Sequence, residues 1–159
     1  MIRIPADVIS QIQAQAKASY PAECCGLLFS APESTTVTRC LPLENLADRY
    51  HKLDPVEFPR TSRDAFMVNE AKLLRAVKDA ETAGENWIAF YHSHIDCGAY
   101  FSAEDKRYAA PDNNPAYPDL YQIVIETQAG QVGEARAFRW DGSDFVHVQS
   151  LPEFAIAKA

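Results

Sequence analysis

A chain of 159 residues, 47% apolar and 23% charged, has enough apolar content for one substantial core, which excludes a disordered or low-complexity chain. Its net charge of −7, with Lys and Arg forming no run or stripe, excludes the electrostatic footprint of a nucleic-acid binder. No apolar run approaches the roughly 18 residues of a membrane span, and the N-terminus from Met1 to Asp7 lacks the apolar core of a signal peptide, so a cytoplasmic location without a membrane partner is expected.

The first expected element is a helix from Asp7 to Ala18, with Pro5 near its start and Val8, Ile9, Ile12 and Ala16 on one face; Pro21 ends it. Cys24 to Phe29 is a short, nearly continuous apolar run and reads as a buried strand, and Thr35 to Leu41 reads as a second. From Pro42 to Pro59 periodicity vanishes, so a long surface loop is expected. Thr61 or Ser62 then caps a helix to about Ala83, with Phe66, Leu73, Leu74, Val77 and Ala80 as its buried face. Trp87 to Tyr91 is a short central strand that delivers His92 at its C-terminal end, where open α/β sheets hold their ligands. Ser102 to Ala110 forms a helix stopped by Pro111, and Pro111 to Pro118 is a polar loop. Leu120 to Glu126, Ala135 to Trp140 and Phe145 to Val148 are strands, the last two joined by an Asp141-Gly142 turn. Ser150 to Ala159 is either a loose tail or a docked helical turn. Strands and helices interleave without strict βαβ order, so the expected class is α/β (α+β), a mixed sheet with helices packed on it.

The cysteines at 24, 25, 40 and 97 form no C-x-x-C pair, and adjacent Cys24 and Cys25 alternate faces on a strand, which suits buried reduced thiols. Cys97 differs in lying beside the chemical residues that follow.

His92 and His94 stand two apart, so on an extended segment both point to the same side, with Ser93 pointing away. A helix beginning at Ser102 sets Asp105 one turn along, where it can face back to them. Alone, Ser102-x-x-Asp105 reads as a capping box. Together, two imidazoles and a carboxylate make three corners of a zinc tetrahedron whose fourth corner is left to water, and a bound metal brings the pKa of water from about 15.7 to about 7. Glu23, in the segment from Tyr20 to Leu28, is a plausible proton acceptor for that water. His51, in the long loop, and His147, alternating with Val146 and Val148, read as solvent-facing.

These segments resemble the JAMM (MPN-plus) metalloprotease family, whose signature is a Glu in an E-x-C-G-x-L context followed by H-S/T-H-x7-S-x2-D. Glu23, Cys25, Gly26, His92, Ser93, His94, Ser102 and Asp105 match it in type, order and spacing. Asn45, the strand from Tyr121 to Glu126 and the segment from Arg136 to Trp140 also look familial, while Ile95 stands where many members carry Pro. The resemblance covers about residues 1–150, leaving 151–159 as a C-terminal tail. It implies a curved mixed sheet flanked by helices, similar to cytidine-deaminase-like folds. It implies one Zn²⁺ per chain on His92, His94 and Asp105, Glu23 as general base and acid, and Ser102 as hydrogen-bond donor to the oxyanion.

By that resemblance the chain is a zinc-dependent peptidase or isopeptidase cutting after the C-terminal Gly-Gly of a ubiquitin-like protein. The modest loops at 42–59 and 111–118 favour a small partner, a sulfur carrier of the ThiS or MoaD type. The groove walls are expected from the loop His94 to Phe101, with Tyr100 and Phe101 beside the scissile bond, and from the loop Pro42 to Pro59. Two other readings are a non-catalytic MPN scaffold, which the complete Glu-His-His-Asp set opposes, and a zinc hydrolase of a small amide. The deaminase signature H-x-E with P-C-x-x-C is absent.

Overall fold

Adjacent cysteines at the start of one strand already divide the molecule into two sides. The computed structural model describes residues 1–156, and in it Cys24 and Cys25 belong to separate apolar clusters on opposite faces of the sheet. Helix α1 (Ala6–Ser19) follows Pro5 and packs Val8, Ile9, Ile12 and Ala16 into the cluster that holds Cys24. Strand β1 (Cys25–Ser30) is buried along its whole length because it lies inside the sheet with a layer on each face. Strand β2 (Val37–Leu43) runs antiparallel beside it at the sheet edge. It continues past the expected end at Leu41 through Pro42, because an edge strand tolerates a proline that cannot donate to a ladder.

The stretch expected to be a long loop contains helix α2 (Ala47–Leu53). Apolar periodicity does not announce it, since Ala47 is its one buried residue. It starts where it does because Asn45 Oδ1 accepts the Ala47 N–H at 3.0 Å. The helix expected from Thr61 or Ser62 also begins later. Helix α3 (Glu70–Thr82) is capped by Asn69, whose side chain accepts from Lys72 N. Residues 61–69 are diverted into irregular structure by distant partners: the Ser62 N–H and hydroxyl both donate to Asp48, and the Ser62 carbonyl accepts from Glu23 N. Phe66 is therefore buried, as expected, but not as part of a helix. Leu73 and Ala80 form the buried face of α3, whereas Leu74 is 54% exposed, against expectation.

Strand β3 (Asn86–Ile95) does not stop at Tyr91. It continues through both histidines because strand β4 (Tyr121–Gln128) runs parallel to it, pairing His92 with Val124 and His94 with Glu126. The crossover between these two strands carries helix α4 (Ala103–Ala109), ended by a 3₁₀ turn at Pro111–Asn113. Strands β5 (Gln131–Trp140) and β6 (Phe145–Leu151) follow as an antiparallel meander. Among the described residues the sheet order is β2-β1-β3-β4-β5-β6, with β3 and β4 as its parallel pair. A last helical turn, α5 (Glu153–Ile156), docks Phe154 into the same cluster as α1. Residues 157–159 of the expected tail lie outside the described residues. The architecture is the expected mixed sheet flanked by helices. It places α1 and α5 on one face and α3 on the other, the face that Phe90 shares with His92 and His94. No described helix is long and apolar enough to cross a membrane.

Candidate metal centre and catalytic cleft

His92 and His94 leave the same face of β3, as their spacing requires, and both are almost completely buried. Asp105 reaches them from the first turn of α4. Ser102 caps that helix: its Oγ accepts from Asp105 N and its own N–H donates to Asp105 Oδ2, both at 3.0 Å. This reciprocal capping box fixes the Asp105 rotamer. Oδ2 then lies 3.0 Å from His94 Nε2 and Oδ1 lies 3.2 Å from His92 Nε2. The His92 contact is close but off the line a hydrogen bond needs, so among the described residues its Nε2 is a buried polar atom without a hydrogen-bond partner. His94 is oriented from behind, its Nδ1 donating to the Gly98 carbonyl at 2.9 Å, which leaves Nε2 as the lone-pair atom facing the site. One donor atom from each of the three residues lies within 4.8 Å of the others. An orphaned buried imidazole nitrogen, a second with its tautomer set, and a carboxylate between them could hold a divalent transition-metal ion.

Burial opposes ionisation of Asp105. The neighbouring His92 and His94 and the Ser102 N–H outweigh it and hold the carboxyl well below the usual range. The contrary case is Glu23. Burial pushes its carboxyl up to about 9, reinforced by the charges of Asp105 and Asp64 and opposed by Arg60.

Glu23 is brought here by its backbone. Its N–H donates to Ser62 O at 2.7 Å and its carbonyl accepts from Asn45 Nδ2 at 2.9 Å. On the next residue, Ser93 Oγ accepts from Cys24 N while Ser93 N donates to Cys24 O, each at 2.9 Å. Ser93 thus points away from the metal residues, as expected, and ties the Glu23 segment to the strand that carries both histidines. Asn45 is the hub of this arrangement. Besides Glu23 O it bonds Ala65 O, Met67 N and Ala47 N, so all four of its hydrogen-bonding positions are used.

His92, His94 and Asp105 line two cavities, Asp105 being common to both. A polar cleft of about 330 Å³ is lined by Glu23, His94, Ser102 and Asp105 together with Arg60, Cys97 and Tyr100. An aromatic pocket of about 250 Å³ is lined in part by His92 and Asp105. Tyr100 and Phe101, expected to line one groove together, are separated. Tyr100 sets its ring edge against His94 in the polar cleft, whereas Phe101 turns to Phe138 and Phe145 and lines the aromatic pocket. Of the segment 42–59, Glu57, Phe58 and Pro59 do reach a cavity that touches Asp105. The Cys97 thiol, on the wall of the polar cleft, is raised by burial. His51, expected to face solvent, is half-buried on α2, with Nδ1 2.8 Å from the Phe58 carbonyl oxygen; His147 is exposed as expected.

Sequence reasoning missed Phe66 as a site residue. Its ring lies 4.7 Å from the His92 ring. Nothing in the local pattern separates this phenylalanine from one buried by a helix. It also missed what Asn45 does, although an Asn two residues before a helix is a recognisable turn signal.

Residues 5–141 match the family described as prokaryotic homologs of the JAB domain, and the chain belongs to that family. It is 29% identical over 139 residues to the CysO-cysteine peptidase of Mycobacterium tuberculosis, covering 86% of this chain and 80% of that protein. It is 26% identical over 138 residues to the desampylase of Haloferax volcanii, covering 87% and 84%. The solution structure of a Desulfitobacterium hafniense protein superposes with a TM-score of 0.70 at 26% identity, over 94% of this chain and 90% of that one. A JAB1/MPN domain protein from Archaeoglobus fulgidus shares the fold with a TM-score of 0.51 at 13% identity, over 94% and 96%.

Proposed function

We propose that this chain is a zinc-dependent metallopeptidase. It hydrolyses the peptide or isopeptide bond that follows the C-terminal Gly-Gly of a ubiquitin-like protein, a sulfur carrier of the ThiS or MoaD type. The observation that carries the reading is the convergence of His92 Nε2, His94 Nε2 and the Asp105 carboxylate beside a buried Glu23 that is itself hydrogen-bonded through its backbone on both sides. A peptidase and a desampylase among the relatives support the reaction class, and the first of these is named for a CysO-cysteine conjugate.

His92, His94 and Asp105 hold the ion, with His94 oriented by Gly98 and Asp105 by the Ser102 N–H. The bound ion supplies Lewis acidity to the scissile carbonyl and to the attacking water. Glu23 takes the proton of that water and delivers it to the departing amine. Burial raises the Glu23 carboxyl, and a divalent cation beside it would favour the carboxylate that accepts the proton. Ser102 Oγ accepts from Asp105 N, so its own hydrogen is free to be donated to the oxyanion of the tetrahedral intermediate.

The test combines elemental analysis with mass spectrometry of a carrier bearing extra residues after Gly-Gly. Wild-type protein is expected to carry close to one zinc per chain and to release the carrier ending in Gly-Gly. His92→Ala and Asp105→Ala are expected to lose the zinc, and Glu23→Gln to keep zinc while losing turnover. Full zinc in both ligand variants overturns the metal assignment, and an active, zinc-loaded Glu23→Gln protein overturns the assignment of the base.

A further inference from the structure

Asp96 takes part in none of the steps above, yet its backbone is strained. It is an exposed residue two places after His94, held at φ 55°, in the left-handed region that side chains other than glycine enter rarely. Its N–H donates to Thr127 O at 2.8 Å, and the Thr127 hydroxyl donates to His94 O, so the end of the histidine strand is pinned to β4. The carboxylate then reaches three other parts of the chain. The Tyr20 hydroxyl donates to it, 2.9 Å from Oδ1 and 2.8 Å from Oδ2. Oδ1 also accepts from Ala129 N at 2.8 Å, and Oδ2 accepts from Arg63 at 3.4 Å.

Two of these partners lead to Glu23. Tyr20 caps the C-terminus of α1, three residues before it. Arg63 follows Ser62, whose carbonyl accepts the Glu23 N–H. On the other flank of Glu23, Cys24 and Ser93 are bonded in both directions. The segment that carries Glu23 is therefore attached to the strand that carries both histidines at two points, Cys24–Ser93 on one side and Tyr20–Asp96 on the other. One attachment lets a segment pivot; two fix the direction of the side chain between them. Asp96 and Arg63 are exposed and Tyr20 is half-buried, so these contacts contribute little to global stability. A strained residue that stabilises the fold little is accounted for by what it places. We propose that Tyr20 and Asp96 are positioning residues for Glu23, holding its carboxyl in a fixed relation to His94 and Asp105. This rests on the role given to Glu23 in the function proposed above.

Two variants test it. Tyr20→Phe removes a single hydroxyl, and Asp96→Gly removes the carboxylate while relieving the backbone at φ 55°. Both are expected to keep their zinc, a urea midpoint close to wild type and the wild-type KM for the carrier. Both should lower kcat at least about tenfold, since displacing a reacting group by about 1 Å is enough to lower a rate by about 100-fold. Tyr20→Phe should have no further effect on kcat in the Asp96→Gly background, because the two residues act as one unit. Amide hydrogen exchange gives a readout that needs no turnover: the Glu23 and Cys24 N–H groups should exchange faster in Tyr20→Phe than in wild type. Unchanged kcat in Tyr20→Phe, with wild type active, overturns the positioning role and leaves the peptidase reading standing. Fully additive losses in the double variant, or losses of kcat matched by equal losses of stability, also overturn it by reducing the pair to fold support. Absence of hydrolysis by zinc-loaded wild type, with faster exchange at Glu23 in Tyr20→Phe, overturns the peptidase reading and leaves the placement of Glu23 by this pair standing.

Discussion

Glu23→Gln separates what this side chain does for chemistry from what it costs the fold. In the metal-free protein the Glu23 carboxyl is raised from 4.5 to about 9, chiefly by burial. A carboxyl whose pKa is higher in the folded state binds a proton there that the unfolded chain has already lost. Its contribution to stability is thus complete below the unfolded value of 4.5 and is lost as pH rises toward about 9. Each unit within that window is worth about 1.36 kcal/mol. Relative to a glutamine, which does not titrate, the cost of Glu23 is about 2 kcal/mol near pH 6 and about 5 kcal/mol near pH 8. The gap between wild type and Glu23→Gln should therefore widen by roughly 3 kcal/mol over two units. For a domain of this size that is a shift of the urea midpoint by about 1–2 M.

The assay is urea unfolding of chelator-treated wild type and Glu23→Gln near pH 6 and near pH 8. Titration of the histidines is common to both proteins and cancels in the difference. Reloading zinc gives a second arm: a divalent cation beside Glu23 favours the carboxylate, so the gap between the proteins should narrow. A gap of the same size at both pH values in the metal-free proteins would refute the reasoning, because it would mean that Glu23 is already ionised at pH 6 in the folded state.

Three further outcomes follow from the geometry. Gly26→Ala should cost at least about 2 kcal/mol of unfolding free energy, since a Cβ there would sit 2.4 Å from the hydroxyl oxygen of buried Tyr91 and 2.7 Å from the backbone oxygen of Leu41; an unchanged urea midpoint contradicts the packing described. Asn45→Ala removes four hydrogen bonds and should destabilise by about 2–4 kcal/mol, and it should lower turnover without releasing metal because it frees the Glu23 segment rather than the ligands; loss of zinc would show that Asn45 supports the wrong part of the site. Ser102→Ala should cost about 1 kcal/mol of stability through the lost cap but about 2.7–4 kcal/mol in turnover through the lost donor, and equal losses in denaturation and kinetics would reduce Ser102 to a cap.

What could be read from the chain beforehand depended on how local the cause was. Helix α1 shows its apolar stripe within its own fourteen residues, and α4 carries both its cap and its reciprocal partner within four, so both were legible. Helix α2 and the late start of α3 were not. Asn45 starts the first through a bond two residues long, a turn signal that apolar periodicity does not carry, and the Ser62–Asp48 and Ser62–Glu23 bonds, fourteen or more residues long, hold the chain irregular before the second. The site divides in the same way. His92, His94 and Asp105 could be grouped from spacing, because a strand and a capped helix turn translate spacing into direction. Glu23 lies far from them in sequence, and only its resemblance to a family pattern pointed to it. Phe66 against His92 was out of reach, since its burial is explained equally well by a core contact.

The capping box makes the bland and the chemical readings of Ser102 and Asp105 interdependent. In the seven-residue helix α4, Asp105 commits one carboxylate oxygen to the Ser102 N–H, which places it 3.0 Å from His94 Nε2 and leaves the other oxygen directed at His92. Ser102 commits a lone pair of its hydroxyl to Asp105 N and retains its hydrogen. Each residue therefore spends on helix capping the half of its hydrogen-bonding capacity that the reaction does not use. A helix this short is not stable by itself, so the same two bonds that hold its first turn also fix the distance between Asp105, the proposed ligand, and Ser102, the proposed oxyanion donor. Rigidity of the centre is thus obtained from helix initiation rather than from additional packing. That is why a cleft open enough to admit a peptide can still hold its reacting groups in place.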